Sequence, residues 1–475
     1  MRRKFLSNLA FLLFLNLLVK PFWIFGIDRA VQNEVGAEAY GSYFALFNFA
    51  FILNVFLDLG ISNFNNRNVS QHQHLLGKYF PRILMLRLIL AVGYMLLCMA
   101  AAFVFDYSKH QLMMLILLCF NQFLLSSILF FRSNIAGMQL FKTDSLVSIM
   151  DRLLMIVTCG WVLFYMERSE PFQIEWFIYL QTMAYSITAL FAFTVVIKRG
   201  GPFSVKWNPA MLVLILKQSL PFALLILLMS IYGRVDSVLL ERILENGKEQ
   251  TGIYAQAFRL LDASNMIAYL FAVLLLPMFA RMLKLNENIK PLVYLAFKLI
   301  LIPAATLGVI CWYYATDLMS NLYTSHAQES GEILSLLMFS LIPMAGAYVI
   351  GTLLTANGNL KQLNIIALAG VTSSIVLNVI LIPSLNAYGA AVTCLVTQVL
   401  TFGLQLILAF RIFSFKVGRD MLLLLGSITT VVVLGYFVSD LTWIYGSLLM
   451  LLFGGIATLT SLLPDLQLLK KIGNR

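Results

Sequence analysis

Runs of about 20 mostly apolar residues, separated by short polar stretches, recur along the whole chain. A membrane-spanning helix needs this length, because backbone amides cannot be left unpaired in hydrocarbon. The pattern therefore predicts an all-α polytopic membrane protein with about fourteen transmembrane helices, at residues 6–34, 38–62, 81–105, 110–140, 143–166, 172–197, 210–242, 251–283, 290–319, 331–357, 362–384, 387–413, 419–438 and 442–463. Several runs exceed the minimum span, which predicts tilt or projecting ends.

Composition strengthens this interpretation and limits the chemistry. Of the 475 residues, 60% are hydrophobic and 12% are charged, which excludes an ordinary globular surface. No predicted connection is long enough for a folded domain of about 50 residues, so the function is expected inside the membrane. The five cysteines lack metal-ligand spacing, and no nucleotide motif or catalytic constellation is present. We expect that the protein binds neither a cofactor nor a metal. We also expect that it is not an enzyme.

The net charge of +11 could indicate nucleic-acid binding, but its distribution indicates membrane topology instead. Basic residues such as Arg82 and Lys142 lie at the N-terminus and in alternate loops, whereas the intervening loops carry acidic residues such as Glu38 and Glu167. By the positive-inside rule, both termini face the cytoplasm. The excess charge then contributes some attraction to anionic membrane lipids, and no nucleic-acid partner is expected.

A polar stretch containing glycine and proline at 201–209 predicts a cytoplasmic linker between two lobes. A Gly-x-Tyr motif opens both helix 2, at Gly41, and helix 8, at Gly252, as expected for an internal repeat. Lobes with even helix numbers should be related by an axis along the membrane normal, with a candidate substrate site in the cleft between them. The predicted parts are an N-terminal lobe at 1–200, a C-terminal lobe at 210–415, and a helix pair with a cytoplasmic tail at 416–475.

Several stretches resemble the polysaccharide-export branch of the multidrug/oligosaccharidyl-lipid/polysaccharide (MOP) flippase superfamily, and the resemblance covers most of the chain. They are VGAEAYGSY at 35–43, LDLGI at 57–61, GIYA at 252–255 with FRL at 258–260, and LNVILIP at 377–383 followed by YGAAV at 388–392. The resemblance implies two six-helix lobes in a V-shaped, MATE-like arrangement, two additional C-terminal helices, and alternating access.

The resemblance also implies a substrate and a setting. The expected substrate is an oligosaccharide repeat unit on a polyprenyl diphosphate carrier, flipped from the cytoplasmic to the outer leaflet of the bacterial inner membrane. The product would feed surface polysaccharide assembly, such as lipopolysaccharide O-antigen or capsule. A polysaccharide polymerase and chain-length machinery are the expected protein partners.

Charged residues inside the spans are costly unless they face a cavity or a partner, so each carries a hypothesis. One group lies in predicted helices 1, 7 and 8, which line the cleft in proteins of this family. These cations are predicted to bind the diphosphate, because phosphate accepts charge-assisted hydrogen bonds: Lys20, Arg29, Arg234 and Arg259. The alternative is that they pair with neighbouring carboxylates, namely Asp28, Asp236 or Asp262.

A second group of charges lies nearer the cytoplasmic ends of the helices. It is predicted to form an ion-pair network within the first lobe, with substrate contact as the alternative: Asp58, Arg87, Arg132, Asp151 and Arg152. Transport against a gradient needs coupling to an ion such as H+ or Na+, and a carboxylate in apolar surroundings can exchange a proton. Coupling or gating roles are accordingly assigned to Asp58, Asp236, Arg132 and Asp151.

Three other functions stay open. A peptidoglycan-precursor lipid flippase would share the carrier and the topology. A MATE-type exporter of drugs or cations would favour a cavity lined by carboxylates, against the cationic residues found here. A membrane-embedded glycosyltransferase or polymerase usually presents a large outer loop, and the predicted outer loops are short.

Overall fold

The computed structural model describes residues 15–473, except for 17, 62–75, 139, 168–169, 200–208 and 416–417. Within these residues all regular structure is helical and no strand occurs. The apolar sequence accounts for this result, since a helix pairs its own backbone amides without help from water. The basic N-terminus and residues 201–208 of the predicted linker lie outside the described residues.

Twelve helices in the described ranges are long and apolar enough to cross a membrane. The first, Leu18–Leu57, contains a π-helical turn at Trp23–Asp28, an α-helix at Arg29–Leu53 and a 3-10 turn at Asn54–Leu57. A break at Gly36 divides it into α1 (18–35) and α2 (37–57). The next helices are α3 (Leu76–Val104), α4 (Lys109–Gly137), α5 (Phe141–Phe164), α6 (Ile174–Arg199), α7 (Pro209–Ile243), α8 (Gly247–Lys284), α9 (Lys290–Leu322) and α10 (Ala327–Ala356). The helix at Leu360–Phe413 divides at Asn386 into α11 (360–385) and α12 (387–413), and α13 (Arg419–Val438) and α14 (Trp443–Gly473) complete the chain.

The breaks at Gly36 and Asn386 are reversals of the chain and not mere bends. Gly36 has a φ of 78°, and the Tyr40 hydroxyl donates to the Asp28 carboxylate at 3.0 Å, although twelve residues of continuous helix would separate them by about 18 Å. Asn386 has a φ of 52°, and a Cβ on Gly389 would lie 2.6 Å from the Leu381 carbonyl oxygen. When the two divided helices are each counted as two, the twelve helices of the described ranges become fourteen segments, in line with the predicted number.

The chain forms two compact units, Met1–Glu241 and Arg242–Arg475. In the first unit, aromatic and aliphatic side chains of α3 to α6 make the core, with Phe80 stacked on Phe130 at 5.4 Å. The division falls beyond the predicted linker. Within the first unit, polar side chains of α7 hydrogen-bond to α2 and α4. The predicted boundary at 201–209 separates the two halves of the internal repeat, and it stays a prediction.

In the second unit, α9 is the helix on which the C-terminal pair α13 and α14 packs. Lys298 of α9 is fully buried and donates to Asp420 of α13 at 2.7 Å, so its charge is compensated. The Tyr314 hydroxyl of α9 donates to the Val438 carbonyl at 2.6 Å. Glycines of α14 allow the close approach, since a Cβ on Gly446 would lie 2.0 Å from the Tyr314 oxygen.

We predict that Gly446→Ala destabilises this packing. The new side chain would displace Tyr314 and break its bond to Val438, so the free energy of unfolding should fall by about 1–3 kcal/mol. The measurement is the thermal unfolding midpoint of purified protein in detergent. Gly455→Ala is the matched control, because a Cβ there lies within 4 Å of no atom among the described residues. Equal midpoints for the two variants would contradict the predicted contact.

Candidate functional site

Asp58 and Arg87 form an ion pair between the end of α2 and α3. The Arg87 side chain is buried, donates to the Ser126 carbonyl at 2.7 Å, and lies over the Phe130 ring at 4.9 Å. Asp58 follows the 3-10 turn of α2, where Leu59 and Gly60 take positive φ angles and end the helix. A guanidinium this deep needs such a partner, because an uncompensated buried charge is strongly destabilising.

Arg132 of α4 binds Asp144 of α5 through two contacts, from Nε to Oδ1 at 2.8 Å and from Nη2 to Oδ2 at 3.4 Å. Asp144 was not among the predicted site residues. Its position in the first turn of α5, close after Arg132 in sequence, is the signal that could have identified it. A two-pronged guanidinium–carboxylate contact fixes the geometry of both groups.

Arg152 of α5 lies 3.5 Å from Asp151 and between two aromatic rings. Its guanidinium is 5.3 Å from the centre of the Trp23 ring of α1 and 5.8 Å from that of Tyr185 of α6. Trp23 also stacks on Phe177 at 5.9 Å. The cation–π contacts therefore tie the beginning of the π-helical turn to α5 and α6. Each charged residue predicted for the inner network is placed in an ion pair. The coupling or gating roles of Asp58, Arg132 and Asp151 stay predictions.

Lys20 lies in the electrostatic field of this inner cluster. Its ammonium interacts with the charges of Arg152, Asp151 and Arg132 but makes no hydrogen bond or ion pair with any described residue. With the Arg132 partner Asp144 included, the cluster holds three cations and two carboxylates, so one positive charge is in excess. Lys20, which is partly exposed, is the cation of this cluster without an ion-pair partner among the described residues.

Asp28 and Arg29 are neighbours at the end of the π-helical turn, but their environments differ. Asp28 is 1% exposed and accepts hydrogen bonds from Tyr40 at 3.0 Å and Gln32 at 3.1 Å. Arg29 is partly exposed, and its Nε is buried without a hydrogen-bond partner in the described part of the chain. Within the described residues Arg29 forms no ion pair, so the alternative of neutralisation by Asp28 is not what the structure shows.

Arg234 of α7 lies over the Phe51 ring of α2 at 5.3 Å. One turn further, the Asn48 amide of α2 donates to the Ser237 hydroxyl at 2.9 Å, and Gln111 of α4 donates to Glu241 at 2.6 Å. Spacings of three and four residues put Arg234, Ser237 and Glu241 on one face of α7, and that face contacts α2 and α4. Asp236 is 1% exposed.

Arg259 lies on α8 in the second unit, where it is partly exposed after a buried run at 250–258. The other three predicted substrate cations belong to the first unit. Among the described residues no group of three His, Cys, Asp or Glu side chains could hold a metal ion.

Comparison with known proteins identifies a family and a fold. A family described as "Polysaccharide biosynthesis protein" matches residues 6–283, which is more than half of the chain. No curated protein matches.

Three solved structures show the same fold. A lipid II flippase MurJ in an inward closed conformation gives a TM-score of 0.69 at 15% identity, covering 94% of this chain and 97% of that one. An inward-facing multidrug resistance MATE family transporter of the MOP superfamily gives 0.63 at 16%, covering 82% and 94%. A MOP superfamily transporter from Pyrococcus furiosus, described as having a binding pocket of reverse polarity, gives 0.63 at 16%, covering 86% and 95%. At this identity the likeness establishes the fold alone.

Proposed function

This chain belongs to the polysaccharide biosynthesis protein family of the MOP flippase superfamily, and we propose that it flips polyprenyl-diphosphate-linked oligosaccharide repeat units across the membrane. The movement is from the cytoplasmic to the outer leaflet, by alternating access. The setting is the bacterial inner membrane, with both termini in the cytoplasm. The product supplies surface polysaccharide such as O-antigen or capsule, together with a polymerase and chain-length machinery.

One observation carries this proposal: α1 holds two cations, Lys20 and Arg29, that have no partner among the described residues. A cation near the centre of a bilayer costs about 2.5–3.5 kcal/mol when it is unpaired. Its retention is explained when a mobile anion supplies the missing charge. A diphosphate suits this role, because it accepts several charge-assisted hydrogen bonds at once.

Coupling to H+ or Na+ is part of the same proposal. The candidate carboxylates are Asp236, which is buried in α7, and Asp58, which Arg87 binds. Asp58, Arg132 and Asp151 contribute by opening and closing their ion pairs on the predicted cytoplasmic side.

The peptidoglycan-precursor flippase is a second candidate, favoured by the chain's similarity to a lipid II flippase over 94% of its length. Its carrier is also a polyprenyl diphosphate, so the cations of α1 suit both substrates equally. The multidrug alternative is less well supported, since organic cations would be repelled by Lys20 and Arg29.

We predict that polyprenyl-diphosphate oligosaccharide stabilises the purified protein, whereas the matching polyprenyl alcohol and an organic cation such as ethidium do not. A ligand at 100 times its Kd should add about 2.7 kcal/mol to the free energy of unfolding. The measurement is the thermal unfolding midpoint with each compound, and lipid II serves as a further arm. Stabilisation by ethidium in place of the diphosphate would contradict the proposal. Stabilisation by lipid II alone would favour the second candidate.

A further inference from the structure

The π-helical turn at Trp23–Asp28 changes the register of α1 between Lys20 and Arg29, the two cations of this helix that have no partner among the described residues. The Arg29 amide donates to the Ile24 carbonyl, five residues back, where a regular α-helix would use the residue four back. Lys20 precedes this turn and Arg29 follows it directly. The turn therefore decides how the two side chains are oriented around the helix axis.

The spacing of buried residues along α1 shows the change of register. Val19, Trp23, Asp28 and Gln32 are all buried, and they succeed one another by four, five and four residues. In a regular α-helix a step of five residues turns through about 500°, which would leave Asp28 about 140° away from Trp23. The wide turn keeps both side chains packed against other helices of the first unit. Trp23 stacks on Phe177, and Asp28 accepts a hydrogen bond from Tyr40. Ile27 and Val31 widen the same buried face.

The partly exposed face of α1 next to this buried face shows the same spacing of residues. It consists of Lys20, Ile24, Arg29 and Asn33, again four, five and four residues apart. Nine residues of regular α-helix turn through about 900°, which would put Arg29 on the side opposite Lys20. The π-helical turn, with roughly 4.4 residues per turn, brings the two cations to within about 70° of each other.

Lys20 and Arg29 are thus aligned along the helix but not adjacent. Nine residues rise by about 13 Å, which is nearly half of a hydrocarbon core of about 30 Å. Neither side chain is held by a partner among the described residues, so both are available to a mobile anion. Because α1 spans the membrane, the line from Lys20 to Arg29 runs in the direction of transport.

We propose that the π-helical turn positions Lys20 and Arg29 as two successive binding stations for the substrate diphosphate on one face of α1. This inference rests on the proposed function. The diphosphate binds Lys20 near the inner cluster and passes along the face to Arg29 as the glycan crosses. The turn is a positioning element, because it sets the alignment without contacting substrate itself.

The register is tested first, without substrate, by pairs of histidines that bind Zn²⁺ only when they share a helix face. Ile24→His with Arg29→His should bind Zn²⁺ at least about tenfold more tightly than Phe25→His with Arg29→His, because the wide turn aligns residues five apart. Zn²⁺ affinity is measured by competition with a fluorescent chelator. Tighter binding by the pair at 25 and 29 would show a regular α-helix and overturn the proposal.

The positioning role is tested by relocating the charge in an Arg29→Ala background. Adding Ile24→Arg, on the Lys20 face, should recover at least a tenth of the flipping rate of the unmodified protein, whereas adding Phe25→Arg should not. The rate is that at which labelled carrier oligosaccharide reaches the opposite leaflet of a vesicle. Equal rates for the two relocations, with the register confirmed by Zn²⁺, would overturn the positioning role. If the unmodified protein flips no carrier, the proposed function fails and takes this role with it, while the Zn²⁺ result still reports the register.

Discussion

A chain carrying both Lys20→Gln and Arg29→Gln should bind polyprenyl diphosphate at least about tenfold more weakly than the unmodified chain. The diphosphate contacts one cation at a time, and at either station the double variant lacks a charge-assisted hydrogen bond worth about 1.5–3 kcal/mol. Glutamine keeps a polar side chain of similar length, so packing should change little. The measurement is the Kd from a calorimetric titration in detergent.

The control is Lys142→Gln combined with Arg281→Gln, which removes the same two charges from exposed positions outside this site. That variant should retain the Kd of the unmodified chain. Equal thermal unfolding midpoints for the two double variants would show that their difference in Kd comes from lost ligand contacts and not from misfolding. An unchanged Kd in the variant without Lys20 and Arg29 would show that these cations do not bind the diphosphate. It would contradict the argument on which the proposed function depends.

Arg87→Ala should lower the free energy of unfolding by about 3 kcal/mol, the largest stability effect expected in the first unit. The substitution leaves the Asp58 carboxylate beside apolar helices without its guanidinium, and removing one partner of a buried pair costs about 3–5 kcal/mol. The lower end applies because a quarter of the Asp58 side chain is exposed. Removing both charges, with Arg87→Leu and Asp58→Asn, should be milder.

The comparison between the single and double variants is the informative part of this experiment. The measurement is the denaturant dependence of tryptophan fluorescence in mixed micelles. If Arg87→Ala were as stable as the unmodified protein, the ion pair would be structurally unimportant. If the double variant were stable yet inactive, Asp58 would act in transport, as the coupling proposal requires.

Hydropathy alone predicted the helices because the bilayer fixes their length and polarity. The predicted thirteenth helix, 419–438, matches Arg419–Val438, and the predicted turns after 34 and 384 contain the observed breaks at Gly36 and Asn386. Glycine supplies the positive φ that the first turn requires, and asparagine accepts it at the second.

Pairings between helices could not be predicted in the same way, because periodicity does not show which faces meet. The sequence did not identify Asp144 as the partner of Arg132. Asp28 was considered as a partner for the cations, but in the structure it accepts hydrogen bonds from Tyr40 and Gln32. The packing of α7 against α2 depends on single polar contacts such as Asn48 to Ser237, which leave no pattern in the sequence.

The π-helical turn could not be predicted from the pattern of apolar and polar residues in α1. The apolar or polar character of Val19, Trp23, Asp28 and Gln32 does not mark them as one face, because the last two are polar. Their common burial becomes visible only when Tyr40 and the first-unit aromatic residues are in place. The register of a helix is thus settled by tertiary contacts that override local pattern.

The most direct test of the account is the translocation of fluorescently labelled polyprenyl-diphosphate oligosaccharide by the purified, folded protein in lipid vesicles. A membrane-impermeant quencher reports how much label has reached the outer leaflet. The account predicts that vesicles containing the protein expose inner label far faster than protein-free vesicles, and that excess unlabelled carrier lipid competes. Equal rates with and without correctly folded protein would contradict it.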